Sequence, residues 1–111
     1  MKIDNLSGTY TIFGINQDED RSTYRGILKL NLFANNRVEA AWLIGKDQEQ
    51  FGEGFIADDT LVIDFYYFDD DQNKYSGTVV YKTLSPTTLD GFWTEKNGNP
   101  IYLGKEQATK H

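Results

Sequence analysis

Tyr24-Arg25-Gly26 returns along the chain as Phe51-Gly52, Tyr75-Ser76-Gly77 and Tyr102-Leu103-Gly104, with the glycines 26, 25 and 27 residues apart. Each of these stretches opens or sits within a run that reads as a β-strand, and a second strand-like run follows each of the first three. A period of about 25 residues is the length of two strands and their turns, so the repeating unit is a hairpin. Repeated hairpins without intervening helices predict one antiparallel meander.

Working outward from the repeats, the alternation of apolar and polar residues supports the same reading. Tyr10, Ile12 and Gly14 share one face of Thr9 to Ile15. Tyr24, Gly26, Leu28, Leu30 and Leu32 share a face opposite Arg25, Lys29 and Asn31. Val38, Ala40, Trp42 and Ile44 repeat the pattern. Period-two alternation with one apolar face is what an antiparallel sheet with one buried side requires. A fourth strand from about Glu49 to Ala57 carries Gly52 and Gly54, which suit a bend or bulge. Leu61 to Phe68 is apolar on both faces, Tyr75 to Tyr81 and Leu89 to Trp93 alternate, and Ile101 to Lys105 is expected to close the set.

Tight hairpins are expected at Asn35-Asn36, Lys46-Asp47, Asp58-Asp59 and Asn97-Gly98, with slightly longer links at Asp69 to Asn73 and Ser85 to Thr87. The polar link from Asn16 to Arg21 is too short for a capping helix. Eight strands in a meander leave two exposed edges unless the sheet closes, and closure also encloses the apolar face. The predicted fold is therefore all-β, an eight-stranded up-and-down barrel forming one domain over residues 1–111, with a two-sheet β-sandwich as the alternative.

Composition bounds the chemistry. The 111 residues contain no cysteine, which removes disulfides, thiol catalysis and cysteine-ligated zinc. The one histidine is the terminal His111, expected to be disordered or a tag remnant, so histidine-based triads and haem ligation are not expected. A net charge of −6 and scattered Lys and Arg disfavour nucleic acid and anionic membrane surfaces. No apolar run approaches the roughly 18 residues of a membrane span. Met1 to Asn5 lacks the apolar core of a secretory signal, and a cytoplasmic setting is expected, with an exported mature form as the alternative.

The pattern resembles the calycin group, the avidin- and lipocalin-type barrels. Leu6-Ser7-Gly8-Thr9-Tyr10 is similar to the Gly-x-aromatic opening of their first strand, and Trp42 and Gly91-Phe92-Trp93 to the tryptophan-bearing strands of avidins. The chain is also similar to short bacterial β-proteins with repeated Tyr-x-Gly strand starts. The resemblance implies a calycin-like barrel that holds a small molecule. It does not carry over specific ligands: of the positions matching the early biotin contacts of avidins, Ile12 and Asn16, only Asn16 is polar. The arginine that holds a fatty acid late in related barrels has no counterpart after Arg37.

Aromatic residues make up 14% of the chain, enough to line a cavity or to fill one. Tyr10, Tyr24, Trp42, Tyr81 and Trp93 are expected inside, as walls for a small apolar or aromatic ligand with no further cofactor. The rival is an interior simply plugged by those rings. Val62, Tyr66 and Phe68 fall on the outer face of the fifth strand and suggest a homodimer contact through Tyr66 and Phe68, unless Gln107 to Lys110 covers them. Asp69, Asp71 and Asn73 have alternating spacing but lack the glycine and distal glutamate of a calcium loop, and read as a solvated turn. Asp64, alone in an apolar strand, is expected to face outward; a carboxylate buried beside a tyrosine would instead support an isomerase-type enzyme. No pair of catalytic carboxylates is selected by spacing, so a non-enzymatic role is expected.

Overall fold

The computed structural model describes residues 6–111, so the expectation for Met1 to Asn5 lies outside the described residues. Eight strands follow in order: β1 (Gly8–Ile15), β2 (Thr23–Leu32), β3 (Arg37–Ile44), β4 (Gln48–Ala57), β5 (Thr60–Phe68), β6 (Lys74–Ser85), β7 (Thr88–Glu95) and β8 (Gly104–Lys110). Each pairs antiparallel with the next, and β8 returns to β1 from Tyr10↔Lys110 to Ile15↔Lys105, closing the barrel. Closure removes both edges, and the sandwich alternative is set aside. Among the described residues no helix is long and apolar enough to cross a membrane.

The four repeated glycines fall in β2, β4, β6 and β8, so each repeat is an even-numbered strand, joined in the first three repeats to the odd strand after it. Their role is more specific than bending. Gly77 pairs across the ladder with Phe65 and Gly104 with Trp93, while Gly14 faces Tyr24 and Gly91 faces Tyr81. A Cβ on Gly104 would lie 2.0 Å from the Trp93 ring, and one on Gly14 2.0 Å from the Tyr24 ring. A large inward ring on one strand thus lies over a glycine on its neighbour, which lets several rings share a narrow barrel.

The turns carry the residues that left-handed backbone favours. Asn35 and Asn36 have φ of 65° and 63°, Gly45 63° and Asp58 54°. Two expectations need correction. The eighth strand is Gly104–Lys110 rather than Ile101 to Lys105; Ile101 is exposed in a turn, and Gln107 to Lys110 forms the barrel wall instead of covering the outer aromatics. Asn97-Gly98 is accordingly part of an eight-residue connection, 96–103, rather than a tight hairpin. The physical cause is the same for both: the inward positions of β8 are Gly104, Glu106 and Ala108, which lack the apolar signature of a strand. His111, expected to be loose, donates its backbone N–H to the Thr9 carbonyl at 2.9 Å and prolongs the β1–β8 ladder.

The two ends of the barrel differ. Leu6, Tyr10, Leu28, Leu30, Val38, Ile56, Leu61 and Leu89 are all buried and pack the end where β1 begins. Each such side chain stabilises the fold by about 1.5–3 kcal/mol relative to exposure. The other end, where β1 finishes and β2 starts, is ringed by the Asn16–Ser22 link, the β3–β4 turn, the β5–β6 turn and the 96–103 loop. The inward residues there are aromatic and polar.

Candidate functional site

Strand alternation carries Tyr24, Trp42, Phe65, Tyr67, Tyr81 and Trp93 to the inside at this second end, from the five strands β2, β3, β5, β6 and β7, with Phe65 and Tyr67 both on β5. Together with Ile44, Val79, Asn16, Gln48, Gln50, Glu95 and Glu106 they surround a cavity of about 90 Å³ that opens to solvent at the mouth. Three edge-on contacts build one wall: Tyr24 to Trp93 at 6.4 Å, Trp93 to Phe65 at 6.2 Å and Phe65 to Trp42 at 6.2 Å between centroids. Such T-shaped pairs hold rings in defined orientations.

At the floor lies Glu106, only 5% exposed. Its Oε1 accepts from the Tyr24 hydroxyl at 2.7 Å, and its Oε2 accepts from the Tyr81 hydroxyl and from Trp42 Nε1 at 3.2 Å. Trp42 Nε1 also lies 3.1 Å from the Tyr81 hydroxyl, and Trp93 Nε1 donates to the Tyr24 hydroxyl at 3.0 Å. The two indoles and two phenols thus converge on one carboxylate. Burial pushes the Glu106 carboxyl above its ordinary value, against the three hydrogen bonds that pull it down. Burial, with the adjacent Glu106 carboxylate, raises both the Tyr24 and Tyr81 hydroxyls, so neither phenol ionises near neutral pH.

A second carboxylate stands at the cavity. Glu95 accepts from the Tyr67 hydroxyl, whose own ionisation is pushed up by burial and by that hydrogen bond. Tyr67 stacks on Tyr75 at 5.3 Å. The strand end carrying Glu95 is pinned by Gln17, a buried residue whose Oε1 accepts from the Glu95 backbone N–H at 2.9 Å. Gln17 Nε2 lies within 2.9 Å of Thr94 Oγ1 and of the Asn99 and Tyr102 carbonyls, tying the β1–β2 link to the 96–103 loop.

Of the rings expected to face a ligand, Tyr24, Trp42, Tyr81 and Trp93 meet at this cavity. Tyr10 does not; it fills the opposite end and donates its hydroxyl to the Leu6 carbonyl at 2.8 Å. Tyr66 and Phe68 are exposed on the outer face, Tyr66 6.0 Å from Phe51 and 6.1 Å from Phe68. Asp64 is exposed and accepts from Thr78 Oγ1 at 2.9 Å. Asp69 spends its oxygens on its own turn, accepting from the Asp71 and Asn73 amides at 2.9 Å and from the Asn73 side chain and Tyr75 hydroxyl at 3.1 Å. These bonds hold its carboxyl below the ordinary range.

Glu106, Glu95, Gln17 and Phe65 are the residues that reading the sequence missed as site builders. A signal for Glu106 was present in the repeat. The position two after each repeated glycine is Leu28, Gly54, Val79 and Glu106, so the last repeat puts a carboxylate where two others put aliphatic core.

No family model matches the chain, and no curated protein matches it. Solved structures with the same fold include a redesigned β-barrel, b11L5F_LGL, at a TM-score of 0.76 and 18% identity over 97% of this chain and 93% of that one. A second redesigned β-barrel, mFAP0, bound to DFHBI, has a TM-score of 0.75 and 20% identity over 96% of this chain and 99% of that one. The protein EF1p2_mFAP2b bound to DFHBI follows at 0.68 and 19%, over 97% and 95%. At these identities the likeness is one of fold: the chain is similar to small eight-stranded antiparallel β-barrels.

Proposed function

We propose that this protein binds a small molecule inside its calycin-like barrel, without chemistry, through Tyr24, Trp42, Tyr81 and Trp93. One observation carries the reading: a solvent-open cavity of about 90 Å³ walled by those four rings, in a barrel whose other end is filled. The two barrels of the same fold that hold DFHBI, mFAP0 and EF1p2_mFAP2b, support it as a use of this architecture. A cavity of about 90 Å³ suits a small ligand. Flat apolar or aromatic groups match the ring walls.

The carboxylate buried beside a tyrosine that an isomerase would call for is Glu106, not Asp64. Both of its oxygens are held by ring donors, an arrangement that favours holding a ligand over shuttling a proton. Native mass spectrometry of the protein purified from its own cells tests the binding reading. A constant extra mass that is lost on denaturation is expected; bare protein, with no uptake from a fragment collection, would rule it out.

A second reading is favoured by the exposed cluster of Phe51, Tyr66 and Phe68: a homodimer formed through the outer face of β5. The same spectrum reads it as doubled mass, which Tyr66→Lys should return to the monomer.

A further inference from the structure

We infer that the ligand of this cavity is a small organic cation, an ammonium on an apolar stem, seated among the rings with its charge against Glu106. The inference rests on the binding reading above and adds the charge of the ligand to it.

Three features of the cavity converge on that chemistry. First, its charged residues are of one sign: Glu95 and Glu106 line it, and among the described residues no lysine, arginine or histidine does. An anionic group entering it would meet two carboxylates and no cation, whereas a cation would meet its counter-charge in a site of low dielectric, where attraction is strong. Second, the carboxylate at the floor is not neutralised by the protein. Its partners are two phenols and an indole, all neutral donors. A carboxylate offers about four acceptor sites; three donors occupy Glu106, which leaves acceptor capacity for a ligand N–H. Third, six rings surround the space, and the faces of tryptophan, tyrosine and phenylalanine attract cations. Aromatic walls with a carboxylate at the floor therefore answer both halves of an alkylammonium, its apolar stem and its charged head.

Energetically such a ligand would offset a cost of burying the Glu106 carboxylate. Burial works against ionisation of Glu106, and an ammonium beside it would offset that cost in the same way that a buried ion pair does. A purely apolar ligand would fill the same space and leave the carboxylate as it was. The difference between the two is measurable.

The experiment is a titration of the full chain at pH 7 and constant ionic strength with n-butylammonium, 1-butanol and butyrate, which share a stem and differ in head group. Both tryptophans of the chain line the cavity, so the indole N–H resonances of Trp42 and Trp93 report on this site alone. The expected result is n-butylammonium bound at least about tenfold more tightly than 1-butanol, with butyrate weaker still. Glu106→Gln, checked for folding by its circular dichroism, should abolish the preference for n-butylammonium over 1-butanol. Equal or tighter binding of 1-butanol to the native chain overturns the charge assignment and leaves a small-molecule site standing. Silence of both indoles towards all three ligands overturns the site itself.

Discussion

At Glu106 burial and hydrogen bonding oppose each other, and the direction of the outcome can be tested. The carboxyl ionises near 4.5 in the unfolded chain and above that in the folded one. Between those two values the native state holds more protons than the unfolded state, so stability falls as pH rises through that window. Glu106→Gln removes the ionisation, and its amide can donate to the Tyr24 hydroxyl, which can turn towards the Lys105 carbonyl at 3.4 Å. The variant should therefore melt higher than the native protein at pH 7, with the gain shrinking as pH approaches 4.5. Thermal melts across pH 4 to 8 check this, and a gain that grew towards acid would contradict it. Gly104 tests the packing of the same site. Its missing Cβ is the space the Trp93 ring occupies, so Gly104→Ala should cost about 1–3 kcal/mol and displace the indole. Urea unfolding followed by tryptophan fluorescence measures both effects.

Among the elements, the link between β1 and β2 does more than connect them. It was legible as a short polar segment, but its residue Gln17 is buried and reaches across to the 96–103 loop, 82 and 85 positions away in the chain. Gln17→Ala leaves the Glu95 N–H and two loop carbonyls, all part-buried, without this partner, a loss of about 1 kcal/mol or more. Hydrogen exchange in the 96–103 loop should accelerate more than exchange in β3 or β4; uniform acceleration would show that Gln17 serves the whole barrel instead. The misplaced eighth strand belongs to this scale too. Hydrophobic alternation identifies strands that bury apolar groups, and β8 buries a glycine, a glutamate and an alanine. It is a strand because β1 and β7 need a partner, not because its own residues prefer one.

For the whole molecule, the net charge of −6 is unevenly spent. The ladder aligns Glu39 with Glu53 and Glu53 with Asp64, so three exposed carboxylates stand side by side across β3, β4 and β5. Like charges directly opposite each other destabilise a sheet, and added salt screens them. Glu53→Lys, at the centre of the row, should raise the melting temperature, and the gain should be largest at low salt and diminish at 0.5 M sodium chloride, a concentration at which the Debye length is about 4–5 Å. A gain indifferent to salt would assign the effect to packing. The row also lies beside Tyr66 and Phe51, so a homodimer across this face would have to bring two such rows near one another.

The sequence by itself determined the strand count, the hairpin period, the inward phase of β1 to β3 and β5 to β7 and the four rings that meet at the cavity, because alternation and turn residues are local properties read within a few positions. Only the tertiary structure decided that the sheet closes, that Tyr10 and the other rings separate to opposite ends, and that a glutamate near the end of the chain lies beneath two tryptophans. Those depend on register around the barrel, where residues some eighty positions apart become neighbours, and on burial, which turns an unremarked Glu106 into the one carboxylate at the floor of the site.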